Sequence, residues 1–537
     1  MNNKKIKIIG FIVVLLITGF IYYITLAPSL YWIDSAIYLS TVEEFGIAYS
    51  PGYPIYIILA KLWSFLPIPG MDFTRKVNFL SSVFASLSCG VLYLTILELF
   101  KNGFSFFKKN YSNPLQPAYR QAGSPFTGGE GIIIAVLISL VFGFSHSFWY
   151  QSTYAEVYSL DFFLFSSIIY FIILISNEGI PDKILTSRQK KLWILTVILY
   201  GLSYANHPMT IALIPAMIWF AWQFKYPFRK NKNFFKLLAV VFLLSGFLPY
   251  IYMPIRSAQN PNRDWGNVET VGNFISHVSA SITMSDASGF GGNKNFFITF
   301  FDFFKLVYYQ FFTFGLILSA IGIYSIKNNN KYLFRFLLLS GGVSILLGII
   351  LTSGEFESWL VPGYYVAALF LAAGVVYVFS RWKISVNILI MVLLLTILSS
   401  FKYNWYTLDR SQDFFPAEVG HNILKNVEDN AIVLSEAGPV SASLVYNQQV
   451  LKEKPNVILI QTANLWLSWA RENLKKFEKE KGLFVPDMNV KLENNGKPES
   501  QQYFEFNSYY LEALVVGNID KFSIYTDRVN SFFTASS

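Results

Sequence analysis

Eleven apolar runs of membrane-spanning length recur along the chain, at roughly 7–27, 77–100, 131–149, 157–176, 192–206, 208–224, 237–255, 306–326, 336–352, 360–380 and 384–401. A helix needs about 20 apolar residues to cross about 30 Å of hydrocarbon. In lipid every backbone N–H and C=O must be satisfied internally, so runs of this kind fold as helices. Charged residues make up 14% of the chain against about 25% in soluble domains. The expected fold is mainly α, a polytopic membrane helix bundle. The runs at 192–206 and 208–224 are separated only by Asn206-His207-Pro208, so they form two short helices or one broken one. Counted as two, they place the N-terminus in the cytoplasm and the C-terminus outside. The first run, after Lys4, Lys5 and Lys7, reads as an uncleaved anchor, because Pro28 follows the only small-residue site, Ala27.

The charge pattern fits that topology. The net charge of +9 comes from basic residues gathered in alternate segments, such as Arg188, Lys190 and Lys191, then Lys225, Arg229 and Lys230, then Lys327, Lys331 and Arg335. The intervening segments hold acids instead: Asp34, Glu43, Glu44, Glu156, Asp264, Glu269 and Glu357. The positive-inside rule accounts for this alternation, and no nucleic-acid partner is implied. The single cysteine, Cys89, allows no intramolecular disulfide. The four histidines form no evident metal cluster, and no HExxH, GxSxG or Cys–His nucleophile pattern occurs. No metal or cofactor is expected.

The acidic segments carry the unusual chemistry. Residues 31–56 begin with an acid, Asp34, and end in the turn Ser50-Pro51-Gly52-Tyr53-Pro54, which no regular helix continues through. Residues 53–66 are too short to span and read as an interfacial helix. The long segment 256–304 ends in a Gly-rich piece with Gly289, Gly291 and Gly292, expected to form a mobile lid. From 402 onward the pattern changes. Strands are expected at 431–434, 456–461 and near 521–525, and helices near 439–451 and 464–480, the latter capped by Gly482. This predicts a membrane domain over 1–401 and a small extracytoplasmic α/β domain over 402–537.

Each singled-out residue has a plainer alternative. Asp34 either caps a helix starting at Ser35 or is a functional acid at the membrane face. The aromatics around Glu156 read as an interface belt, which does not explain Glu156 itself. Asp161, one turn beyond, is expected to face the same outer cavity. His207 is either a hydrogen-bonded helix-break residue or a functional one. Arg256 ends a span as a snorkelling anchor or as a bidentate phosphate clamp.

Taken in order, the motifs Trp32-x-Asp34-Ser35, Pro51-Gly52-Tyr53-Pro54, Arg75-x-x-Asn78-x-x-Ser81, Glu156-Val157-Tyr158-Ser159-Leu160, Asn206-His207, Pro254-Ile255-Arg256-Ser257, Asn260-Pro261 and Trp265-Gly266, with His277 downstream, resemble the GT-C superfamily of polyprenol-linked glycosyltransferases. The resemblance is to the bacterial branch related to the transmembrane protein O-mannosyltransferases, and it covers roughly residues 30–280. It implies a GT-C bundle of about eleven transmembrane helices. It also implies an inverting transfer of a sugar, mannose foremost, from a polyprenyl-phosphate donor to an acceptor hydroxyl of a protein or glycan at the outer face of the cell membrane. Asp34 is then the catalytic base, with Arg256, His207 and Asn206 on the donor phosphate and Glu156, Tyr158, Tyr53, Asn260 and Trp265 lining the substrate cavity. Three positions depart from the family pattern: Ile37 replaces a second acid, Ser50 a histidine, and Lys454-Pro455-Asn456 an Arg-Pro-Asp. The competing functions are a transporter or flippase of lipid-linked sugars and a non-catalytic membrane scaffold.

Overall fold

The computed structural model describes residues 3–104, 106, 126, 129–181, 184–279, 296–351, 356–436, 438–490 and 499–527. The Gly-rich segment expected as a lid lies outside them. The chain divides into two compact units. One comprises 1–26, 78–249 and 291–411, the other 27–77, 250–290 and 412–537.

All eleven apolar runs are helical. Among the described residues, eight helices are long and apolar enough to cross a membrane. The remaining three runs fold as Glu130–Gly143, as Ser187–Asn206, and as a 3-10 turn Pro208–Leu213 leading into Ile214–Gln223. The pair at 192–224 is therefore two helices, broken where Pro208 lacks an N–H. The expected interfacial piece is helix Pro54–Ser64.

The first unit is built around helix Phe356–Trp382, the most enclosed of the spans. It packs along helix Phe296–Asn329 through small residues. A Cβ on Gly374 would lie 1.9 Å from the Leu318 carbonyl oxygen, and one on Gly322 1.7 Å from that of Phe370. The two backbones touch at this crossing.

In the second unit, three parallel strands run in the order β2-β1-β3: β1 Ile432–Ser435, β2 Ile458–Gln461 and β3 Ile524–Thr526. Ile432 pairs with both Ile458 and Ile524. Alternation along β1 feeds two cores. Ile432 and Leu434 face Leu474, Leu511 and Leu514, while Val433 faces Leu424 and Leu444. Helices Ser468–Lys481 and Glu499–Val516 thus build one core, and Phe415–Lys425 and Pro439–Gln449 the other. Gly482 closes Ser468–Lys481 at φ 71°, as its sequence predicts. Helix Glu499–Val516 is absent from the sequence reading.

The backbone contact at Gly374 yields a test. Gly374→Val forces the crossing apart and should cost about 1–3 kcal/mol by overpacking. Thermal unfolding in detergent should show a melting temperature lowered by several degrees; an unchanged one would mean that the two helices separate freely.

Candidate active site

Helix Trp32–Glu44 carries Asp34 in its first turn. Its N-cap is Tyr31, with no side-chain cap bond, and the Tyr31 N–H donates to Ser35 Oγ at 3.2 Å. The helix begins three residues earlier than expected, so the capping role for Asp34 falls away. Asp34 is half-buried. Beside it Trp32 holds φ at 53°, a conformation an aromatic residue rarely adopts and one that costs about 1–3 kcal/mol. The Trp32 ring packs on Phe415 at 6.0 Å.

The other end of this helix shows what Arg256 does. Phe45 ends the helix in the left-handed region, φ 48°. The last carbonyls of a helix lack intrahelical donors, and Arg256 supplies them: Nε donates to Phe45 O at 2.8 Å and Nη2 to Glu44 O at 3.0 Å. Nη1 donates to Gln259. Glu44 is ten residues beyond Asp34, about 15 Å along the axis at 1.5 Å per residue. Arg256 thereby anchors the exit of the helix. Lys61 donates to Glu43 O at 2.8 Å, and Lys452 lies 3.3 Å from a Glu44 carboxylate oxygen, so cations surround the negative end of the helix dipole.

The Ser50–Pro54 turn packs against the segment after Arg256. Gly52 sits at φ 98°, and a Cβ there would meet Met253 Cε at 2.6 Å. Gly266 sits at φ 82°, and a Cβ there would meet His277 Nδ1 at 2.6 Å. The Ser50 hydroxyl donates to His277 O. Burial holds the His277 imidazole down at about 4, against a smaller opposing bond to Ala48, so it is neutral at pH 7. Tyr53 is buried among Tyr38 and Tyr49, at 5.5 and 5.2 Å between ring centroids. It packs in an aromatic cluster.

Asn260 and Trp265 line a cleft of 730 Å³. One wall is the loop 260–265, tied to the helix exit by a bridge in which Ile47 N–H donates to Arg263 O at 2.7 Å. The opposite wall is helix Ser468–Lys481, whose Trp469 ring lies 4.9 Å from that of Trp265. Asn473 Nδ2 donates to Asp264 O, and Lys476 Nζ to Asn262 Oδ1. Buried Arg263 donates from Nε to Ser40 Oγ at 3.1 Å, and burial lowers its pKa to about 10 against the pull of Glu44. Sequence reasoning named neither Asp264 nor Trp469 as a site residue. Asp264 stands beside Trp265 in a recognised motif, whereas nothing marks Trp469 before the fold brings it there.

In the first unit, Glu156 is 3% exposed; its N–H donates to Ser81 Oγ at 3.3 Å and its Oε1 accepts from the Val157 N–H at 3.3 Å. Asn206 Nδ2 donates to Val157 O at 3.1 Å, and its Oδ1 has no partner among the described residues. His207 Nδ1 accepts from the Met209 N–H at 3.0 Å, capping the 3-10 turn, and its ring lies 4.8 Å from that of buried Tyr158. Asp161 is enclosed, bonded to the hydroxyls of Ser203 and Thr210, and does not face an outer cavity. Glu156, Tyr158, Asn206 and His207 come together here; Asp34, Tyr53, Arg256, Asn260 and Trp265 belong to the second unit.

Burial raises the Asp264 pKa to about 6, with the Ser257 hydroxyl at 2.9 Å opposing and Glu269 reinforcing. A carboxyl raised in the folded state stabilises the fold below its unfolded pKa, and that contribution is lost as pH rises through about 6. Asp264→Asn should therefore melt several degrees above the native protein at pH 8, with the gap closing between pH 6 and 4. A gap independent of pH would show that Asp264 is not the titrating group.

Residues 34–230 match the family described as protein O-mannosyl-transferase TMEM260 N-terminal domain. The chain is 27% identical to protein O-mannosyl-transferase TMEM260 of Mus musculus over 260 residues, covering 48% of this chain and 32% of the relative. It is 20% identical to the Dictyostelium discoideum protein O-mannosyl-transferase tmem260 over 513 residues, covering 87% and 58%. Among solved structures it is similar to ArnT from Cupriavidus metallidurans bound to undecaprenyl phosphate, at 11% identity and a TM-score of 0.50 over 84% of this chain and 89% of that one. The chain is a multi-pass membrane protein of GT-C fold and protein O-mannosyltransferase-like sequence.

Proposed function

We propose that the chain is an inverting glycosyltransferase that moves mannose from a polyprenyl-phosphate donor to a Ser or Thr hydroxyl of a protein at the outer face of the membrane. The observation that carries this reading is Asp34: a half-buried carboxylate with no capping role, on a helix whose far end is bolted down by Arg256. The names of the TMEM260 relatives support the activity, and the undecaprenyl phosphate bound to ArnT supports the donor class. In this reading the N-terminus is cytoplasmic and the segment from 402 extracytoplasmic, on the strength of the alternating basic and acidic segments.

The acceptor oxygen attacks the anomeric carbon while Asp34 takes its proton. The bond from that carbon to the lipid phosphate breaks, and the phosphate leaves with the electron pair. A cation must meet that charge. Arg75, whose buried Nε has no partner among the described residues, is our candidate. Asn206 and His207 belong to donor binding, with the unpartnered Asn206 Oδ1 as an acceptor for a donor hydroxyl. Glu156 and Tyr158 back them.

Two substitutions test the assignment. Asp34→Asn keeps the shape, loses about 0.3–1 kcal/mol of helix-dipole interaction, and cannot take a proton. Transfer of labelled mannose by purified protein should fall about 10²–10⁴-fold, with donor binding retained; near-normal transfer would remove Asp34 from the mechanism. Arg256→Lys cannot reach all three acceptors at once. The turnover number should fall about tenfold, a loss of about 1.4 kcal/mol, with donor KM unchanged. A raised donor KM at unchanged turnover would instead restore the phosphate role.

A further inference from the structure

The cleft between the loop 260–265 and helix Ser468–Lys481 has a lining of definite chemistry. Its charges nearly cancel, with five cationic and four anionic side chains, so it does not select a charged ligand. What remains is rich in hydrogen-bond acceptors. Asp264, 3% exposed, lines the cleft, and among the described residues neither its Oδ1 nor the buried Gln449 Oε1 has a partner. The amide nitrogens of Gln448 and Asn473, also in the lining, are engaged by protein carbonyls, which leaves the oxygens of those amides for a ligand. The Trp265 and Trp469 rings are half-buried, tilted at 41° and exposed in part to the cleft. Acceptors facing aromatic surfaces suit a neutral ligand with many hydroxyl donors and an apolar ring face.

We propose that this cleft is a second, non-catalytic subsite that binds a neutral sugar unit already carried by the acceptor. The proposal rests on the sugar-transfer reading for the ligand's role. Glu44 lines the cleft, and it stands about 15 Å along its helix from Asp34. An extended polypeptide covers that distance in about five residues at about 3.3 Å each. A sugar held in the cleft thus brings a hydroxyl several residues away toward Asp34, which favours modification of neighbouring sites on one acceptor.

The test uses the full chain in nanodiscs free of sugar-headed detergent. Saturation-transfer NMR is recorded with methyl mannoside, with mannobiose, and with an unmodified Ser/Thr peptide. Both saccharides should give signals with the native protein and equally with Asp34→Asn. Trp469→Ala should reduce them at least fivefold, Trp469→Phe should recover part of the loss, and Gln449→Ala should weaken them, all at unchanged melting temperature. Equal signals from Trp469→Ala, or signals from the peptide alone, would overturn the proposal, the latter making the cleft a peptide groove. Sugar binding by a protein that transfers no mannose would leave the subsite standing and remove the transferase reading instead.

Discussion

Two hydrogen bonds from Arg256 to the carbonyls of Phe45 and Glu44 hold the arrangement around Asp34 in place. A helix that ends in a left-handed phenylalanine has no glycine to ease its exit and needs outside donors for its last carbonyls. The guanidinium provides two in a fixed fork and also lies over the Phe45 ring, which stacks on Tyr252 at 5.4 Å. Once the exit is set, Gly46 passes so close to Arg263 O that a Cβ would sit 2.2 Å from it. Ile47 then joins the loop 260–265. One arginine thereby links the helix that bears the acid to the loop that forms the cleft.

The sequence motifs make physical sense on this frame. Pro51-Gly52-Tyr53-Pro54, Trp265-Gly266 and His277 are more than 200 positions apart, yet they form one packed knot. Gly52 and Gly266 both sit at positive φ, and both lie against the His277 ring. A side chain at either position would displace the imidazole or the turn. The neutral, buried imidazole is held by a backbone hydrogen bond with Ala48, while the Ser50 hydroxyl donates to the His277 backbone oxygen. These residues touch, whereas Asp34 stands in the first turn of its helix without a cap bond.

Much of the fold was legible in local pattern. Apolar run length located the spans, short apolar runs located the three strands, and Gly482 marked a helix end. Proline at 208 separated two helices whose apolar pattern alone is continuous. What stayed hidden depends on partners far along the chain. Helix Glu499–Val516 carries apolar residues on more than one face, with Phe504, Tyr509 and Val516 exposed and Tyr510, Leu511 and Leu514 turned to the sheet, so it shows no span and no clear stripe on its own. Trp469 meets Trp265 across more than 200 residues. Arg256 reads from sequence as a free cation at a membrane face, and only the positions of two carbonyls show where its donors go.

The electrostatics of the helix also separate its two ends in function. Lys61, Arg256 and Lys452 gather where Glu43, Glu44 and the dipole are negative, and they are largely consumed there. Asp34 sits at the opposite end, in the first turn of the helix. A carboxylate that takes a proton is weakened as a base by a neighbouring cation. The leaving phosphate needs the reverse, a cation that is not already bound. Placing the neutralised cations about 15 Å from the acid keeps these two demands from competing. In the proposed reading the helix is a rigid spacer of about 15 Å between the acid and the cleft, a separation that suits a polymer acceptor.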